Sequence, residues 1–380
     1  MKFKKIIISI LVLFLQLFSY SASFAGKQKE VTVGIFIDTS DHRIREAIAF
    51  LQQYYVSFLN LDTIPYRHYF TEAQCNKYAI PDPVVHAISG DGCTYTMFSK
   101  ATIFFAKTYP DHVHIKTLFA WTDDSANVQP YAISNHYVHK NDNGFYFLTE
   151  MEQHKEQYAF MLNGNIEYIF PEGTPFNKQS SDSLLASLKK FEKEWGFTPI
   201  KQIRYIYTYS KTDLARMKGL DYVLSMNENS SSGYADTESN TVYCQGKGEN
   251  YLHEILHLYL NPVYGKSPVN HGLVYYLGGG VAGNYADMIR LMNHYPDRYP
   301  ETNLSHYDSL ISKERMLHID HAVNAMLCKL VYEKEGTKGV KRLLGYKTLE
   351  DLFRKEYKIE RSKWNVFLKR KLSEESHSGS

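Results

Sequence analysis

The chain has 380 residues, 44% of them hydrophobic, a composition that suits a globular fold and excludes a disordered chain. A formal net charge of only +2 removes the electrostatic case for nucleic acid as a partner. None of the four cysteines has metal-finger spacing, so a zinc-finger framework is excluded as well.

The chain opens with Lys2, Lys4 and Lys5, an apolar run over 6–18, and the small residues Ser23 and Ala25. These are the three parts of a secretory signal peptide over 1–25, cleaved before Gly26. No later run is long and apolar enough to span a bilayer. The expected mature protein is therefore exported, periplasmic or secreted, with no transmembrane segment. The remaining residues, about 355, leave room for two or three domains.

Residues 26–154 read as a small α+β domain. A strand or extended lead-in is expected over 31–37. Asp41 is placed to cap a helix in which Ile44, Ile48, Leu51, Tyr55 and Phe58 recur at helical spacing. Residues 61–95 read as loops, and Cys75 and Cys93 within them are close enough to pair. Strands follow at 101–106, 114–120, 131–138 and 144–148, with a hairpin turn over 140–144. This order of one helix and then a meander resembles the cone-shaped nuclear-transport-factor-like fold.

A second domain is expected over 155–380. Strands are expected at 166–170, 203–209 and 241–245, with a helix between the first two that Ser181 caps and Gly196 ends. The stretch Tyr-Leu-His-Glu-Ile-Leu-His-Leu-Tyr over 251–259 then forms a helix that stops at Asn261 and Pro262. Only helices follow, over 271–277, 284–293, 313–334, 337–344, 348–356 and 361–371. Cys244 and Cys328 are far apart in sequence and read equally well as buried free thiols.

The chemistry is concentrated in that helix. Positions four apart share a helix face, so His253 and His257 can aim two imidazole nitrogens at one point. Zinc accepts imidazole at about 2.0–2.1 Å, and this spacing suits chelation by one helix. Glu254 lies about 100° round the helix, out of reach as a ligand but able to take a proton from a zinc-bound water. Residue frequencies alone would yield the pattern roughly 0.04 times in such a chain. Leu252, Ile255, Leu256, Leu258 and Leu260 make the helix apolar on every other face, hence buried. Two buried histidines and a buried glutamate need partners. A metal supplies one, and a hydrogen-bonded core network is the alternative. A catalytic zinc takes a third protein ligand, for which His271, Asp287 and His294 are within reach.

The order of strands, His-Glu-x-x-His helix and later helices resembles the gluzincin zinc metallopeptidases, especially the peptidase-MA-like group. In that group a following helix begins Glu-Gly, and its glutamate is the third ligand. Here His271-Gly272-Leu273-Val274-Tyr275-Tyr276 is similar to that helix start, with histidine in the glutamate position. Gly233-Tyr234-Ala235-Asp236 and the helix running from Ala325 to the glycine at 336 are also similar. The resemblance covers roughly 155–372. It implies a zincin-like catalytic domain, a mixed sheet plus a helical C-terminal subdomain, with Zn²⁺ held by His253, His257 and His271. It further implies an oxyanion donor after the third ligand, for which Tyr307, His318 and His321 are candidates. An edge strand at Thr241, Val242 and Tyr243 is expected to bind an extended substrate. The reading that follows is a zinc-dependent peptidase acting on a peptide or protein substrate. The reading from another class is an inactive domain of the same fold that binds envelope peptides or glycans. Retention of Glu254 weighs against it.

Overall fold

The computed structural model describes residues 31–59, 65–78, 81, 82, 84, 100–122, 127–224, 232–280, 282–314 and 316–378. The segment read as a signal peptide lies outside the described residues, as does Cys93 with its expected pairing. Cys244 and Cys328 are buried free thiols. The fold is α+β. Along the chain run β1 (Val31–Val33), α1 (His42–Leu59), α2 (Glu72–Lys77), β2 (Lys100–Thr108), β3 (His112–Thr122), β4 (Val128–Asn141), β5 (Gly144–Leu148) and α3 (Glu150–Gln153). Then come β6 (Tyr158–Asn163), β7 (Ile166–Pro171), α4 (Lys178–Trp195), β8 (Ile203–Thr208), α5 (Lys211–Met217), β9 (Leu220–Val223), β10 (Ser232–Asp236) and β11 (Thr241–Gln245). Helices complete the chain: α6 (Leu252–Tyr264), α7 (Asn270–Gly278), α8 (Tyr285–Arg298), α9 (Ile319–Leu344), α10 (Leu349–Leu352) and α11 (Trp364–Ser378). Among the described residues no helix is long and apolar enough to cross a membrane.

The residues fall into two compact units. The first holds the described residues of Met1–Asn76, Ile80–Gln153 and Lys218–Leu224. The second holds those of Lys77–Ala79, His154–Met217 and Ser225–Ser380. The chain thus leaves the second unit after α5, places β9 in the first, and returns.

In the first unit β1 to β5 lie in sequence order in one sheet, with β9 also paired to β4. One edge of β4 is shared: Tyr137–Asn141 pairs with β5, and Ala132–Ser134 pairs with β9. Asp41 Oδ1 accepts the Arg43 amide at 2.8 Å and so caps α1. The helix buries Ala47, Ile48, Leu51, Tyr54 and Tyr55, and the Tyr55 ring stands 5.5 Å from Phe119.

In the second unit the sheet order is β10-β11-β8-β7-β6, with β11, β8 and β7 parallel and the two outer strands antiparallel to their neighbours. Ser181 does not cap α4. Asn177 does, accepting the Ser180 amide at 3.0 Å, and Ser181 is buried one turn inside. Gly196, at φ 65°, ends the helix in the left-handed region. The sheet fixes where α6 begins. Tyr205 Oη donates to the Gly248 carbonyl at 2.9 Å, and Tyr207 Oη donates to the buried Glu249 carboxylate at 2.8 Å. The Asn177 amide donates to the same carboxylate oxygen at 2.8 Å.

Helix α6 passes the expected stop at Pro262 and runs to Tyr264. Proline removes one amide donor but its φ suits a helix, and the Gly265 amide closes on the Asn261 carbonyl at 2.9 Å. The two helices expected over 313–334 and 337–344 are one element, α9, beginning at Ile319 and broken in geometry at Gly336, where φ is 61°.

Candidate metal centre

Helix α6 is buried from His253 to Leu260, so its polar side chains are held in an apolar setting. His253 is 4% exposed, Glu254 6% and His257 5%. Helix α7 brings His271 to the same point. The ligand-capable atoms of His253, His257 and His271 all lie within 4.8 Å of one another. Asp287 and His294 are not part of this cluster. Asp287 forms the capping box of α8 with Asn284, and His294 stands on α8.

The outer nitrogens of the two α6 histidines are already occupied. His253 Nδ1 lies 2.5 Å from the Gly279 carbonyl, and His257 Nδ1 lies 3.1 Å from Asn261 Oδ1. Both partners can only accept, so each Nδ1 carries the proton and each Nε2 presents a bare lone pair. Asn261 is held in that orientation by the Asn270 side-chain amide, which donates to the same Oδ1 at 2.8 Å. Gly279 directs its carbonyl at His253 from φ 69°, ψ −162°, a conformation open essentially to glycine alone. Orientation of ligand imidazoles by hydrogen bonds at the far nitrogen is the usual support of a metal site.

Burial also sets the charge state. It drives the pKa of His253 down to about 3, with the nearby His257 adding to the shift, and that of His257 down to about 4. His271 is lowered in the same direction, chiefly by burial. All three are neutral at pH 7, the form that binds metal. Burial pushes Glu254 up to about 8. Its carboxylate lies against the edge strand: a Cβ built on Gly233 of β10 would fall 2.5 Å from Glu254 Oε1.

The expected oxyanion donors divide. Tyr307 is fully buried and its hydroxyl donates to Asn324 Oδ1 at 2.8 Å, so it is a core residue and not a free donor. His321 stands beside the cluster, its ring 4.6 Å from that of His271. His318 precedes α9 and stacks on His321 at 5.0 Å. The sequence reading missed Tyr275, whose ring lies 4.8 Å from His253 and 4.7 Å from His321. It follows His271 by four residues, so helical spacing alone would have put it on the ligand face. His271, Asp320 and His321, with Asn261 and Asn270, line a cleft of about 380 Å³.

Thr241, Val242 and Tyr243 do not form an edge strand. They belong to β11, which is paired on both sides, to β10 and β8. The edge is β10, and among the described residues no strand covers its outer side. Sequence order misleads here because β10 folds back antiparallel outside the strand that leads into α6.

These residues suit a borderline divalent cation. Three neutral imidazoles converge, a carboxylate sits beyond ligand position, and a cleft adjoins the exposed side of His271. No protein-family model matches the chain, and no curated protein matches its sequence.

Proposed function

We propose that the second unit is a zinc-dependent peptidase with His253, His257 and His271 as ligands and Glu254 as general base. The observation that carries this reading is the pair of hydrogen bonds at Nδ1 of His253 and His257, which leave two Nε2 lone pairs beside His271. A cation would give these lone pairs a common partner. Zn²⁺ held there would supply Lewis acidity and an acidified water. Burial raises Glu254 to about 8 in the metal-free chain. A cation at the three imidazoles would return it to the carboxylate, and as carboxylate it takes a proton from the attacking water and hands it to the leaving amine. Tyr275 and His321 supply donors to the oxyanion on the attacked carbonyl. The outer edge of β10, beside Glu254, receives an extended peptide as an added strand.

Metal analysis of the purified chain and hydrolysis of a quenched peptide library test this. Zinc is expected in the wild type. Glu254→Gln is expected to keep the metal and lose hydrolysis by about 10²–10⁴-fold. A wild-type chain without metal, with hydrolysis indifferent to Glu254→Gln, would sink the proposal. Bound zinc with no hydrolysis in either chain would favour a binding module of the same fold.

A further inference from the structure

We propose that the first unit carries a second transition-metal site, formed by His112, His139, Asp111 and Gln153. It does not depend on the peptidase reading.

His112 on β3 and His139 on β4 are directly opposed in the strand register. Their rings lie 5.3 Å apart and nearly parallel, and the residues are only 8% and 7% exposed. His112 Nδ1 is 2.9 Å from Asp111 Oδ1 and 3.5 Å from Gln153 Nε2. His139 Nε2 is 2.6 Å from Gln153 Oε1. The ligand-capable atoms of Asp111, His112 and His139 all lie within 4.8 Å of one another.

As placed, the Gln153 amide nitrogen faces the His112 Nδ1 that donates to Asp111, and turning that amide over would satisfy the group by hydrogen bonds alone. A cation is the other way to satisfy it, because His112 Nδ1, His139 Nε2, Asp111 Oδ1 and Gln153 Oε1 can all offer lone pairs and already cluster. Around a tetrahedral ion bound at about 2.0–2.2 Å, neighbouring ligands stand about 3.3–3.6 Å apart. The pairs at 2.9 Å and 2.6 Å would open and the wider ones, within 4.8 Å, would close to reach that. Burial lowers His139, which keeps it in the neutral form a metal requires. Two imidazoles with two oxygens select Zn²⁺, Cu²⁺ or Ni²⁺ over Mg²⁺ or Ca²⁺. Asp111, His112 and His139 line a cleft of about 450 Å³ together with His42, Glu46 and Tyr146, so an open coordination position has access to solvent.

Calorimetric titration of Zn²⁺ into the metal-stripped full chain tests the site. The His253→Ala/His257→Ala double variant removes the α6 ligands and is expected to bind one equivalent still. Adding His139→Gln is expected to abolish that binding. Adding Gln153→Ala instead, which leaves both imidazoles in place, is expected to weaken it at least 10-fold, with far-UV circular dichroism unchanged. The proposal is overturned if the double variant binds no zinc. It is overturned equally if its one equivalent survives both His139→Gln and Gln153→Ala. If the wild type and the double variant each bind one ion, lost on adding His139→Gln, the α6 centre fails and this one stands.

Discussion

Asn261 controls which nitrogen His257 offers. Its Oδ1 accepts from His257 Nδ1 and from the Asn270 amide, so it acts as a fixed acceptor one helical turn beyond the second histidine. Asn261→Ala removes that acceptor, frees the tautomer of His257 and strands the Asn270 donor. Zinc affinity is expected to fall about 10–100-fold, read by competition with a chelating dye, while Asn261→Asp retains it. Equal affinity for wild type and Asn261→Ala would mean that His257 is not oriented in this way. The residue was within reach of sequence reasoning, since it follows His257 by the same four positions that separate the two histidines. The Gly279 carbonyl was not. Its contact with His253 spans 26 residues and depends on a backbone conformation that no side-chain pattern announces.

At the scale of elements, β10 and α6 touch at Glu254, the proposed base. Gly233 leaves the space that Glu254 fills, since any Cβ there would meet the carboxylate and its Cγ at 2.5 Å. Gly233→Ala is therefore expected to displace Glu254 and cut peptide hydrolysis more than 10-fold while zinc content stays that of the wild type, measured on the same preparation. Full activity in that variant would place the base elsewhere. Helix α6 was legible because its apolar residues surround the histidines on every face, and α1 because Asp41 precedes a regular apolar stripe. Strand order was not legible. Both β10 and β11 are short, and nothing in Thr241 to Gln245 distinguishes a central strand from an edge. Nor was β9, four residues that are set between two stretches of the second unit and pair with β4 of the first.

For the whole molecule, buried neutral histidines tie stability to pH. In the folded, metal-free chain burial holds His253 at about 3, His257 at about 4 and His321 at about 4, and lowers His114 as well. The unfolded chain takes up these protons near 6.5. Below that pH the unfolded state binds more protons on these histidines, so their contribution is complete above about pH 6.5 and declines as pH falls towards 4. Glu254, raised by burial to about 8, works the other way and costs stability as pH rises towards 8. The urea midpoint of the metal-free chain is expected to be highest near pH 7, to fall as pH rises to 8 through Glu254, and to drop progressively below 6.5 through the histidines. Zinc, bound by the folded state alone, should raise the midpoint at pH 7.5, and a chelator should reverse the gain. A midpoint constant from pH 7.5 to 5 would refute the neutral, buried assignment.

The detour through β9 has a consequence for biosynthesis. Until the ribosome has added residues 220–223, Ala132, Ile133 and Ser134 of β4 have no partner on that edge, although every other strand of their sheet has long been made. The first unit must therefore wait, with part of a strand open to unwanted pairing, while α4, β8 and α5 of the second unit are synthesised. A chain cut after Gln153 would never close that edge, so the two units, though compact, are not separable by a single break.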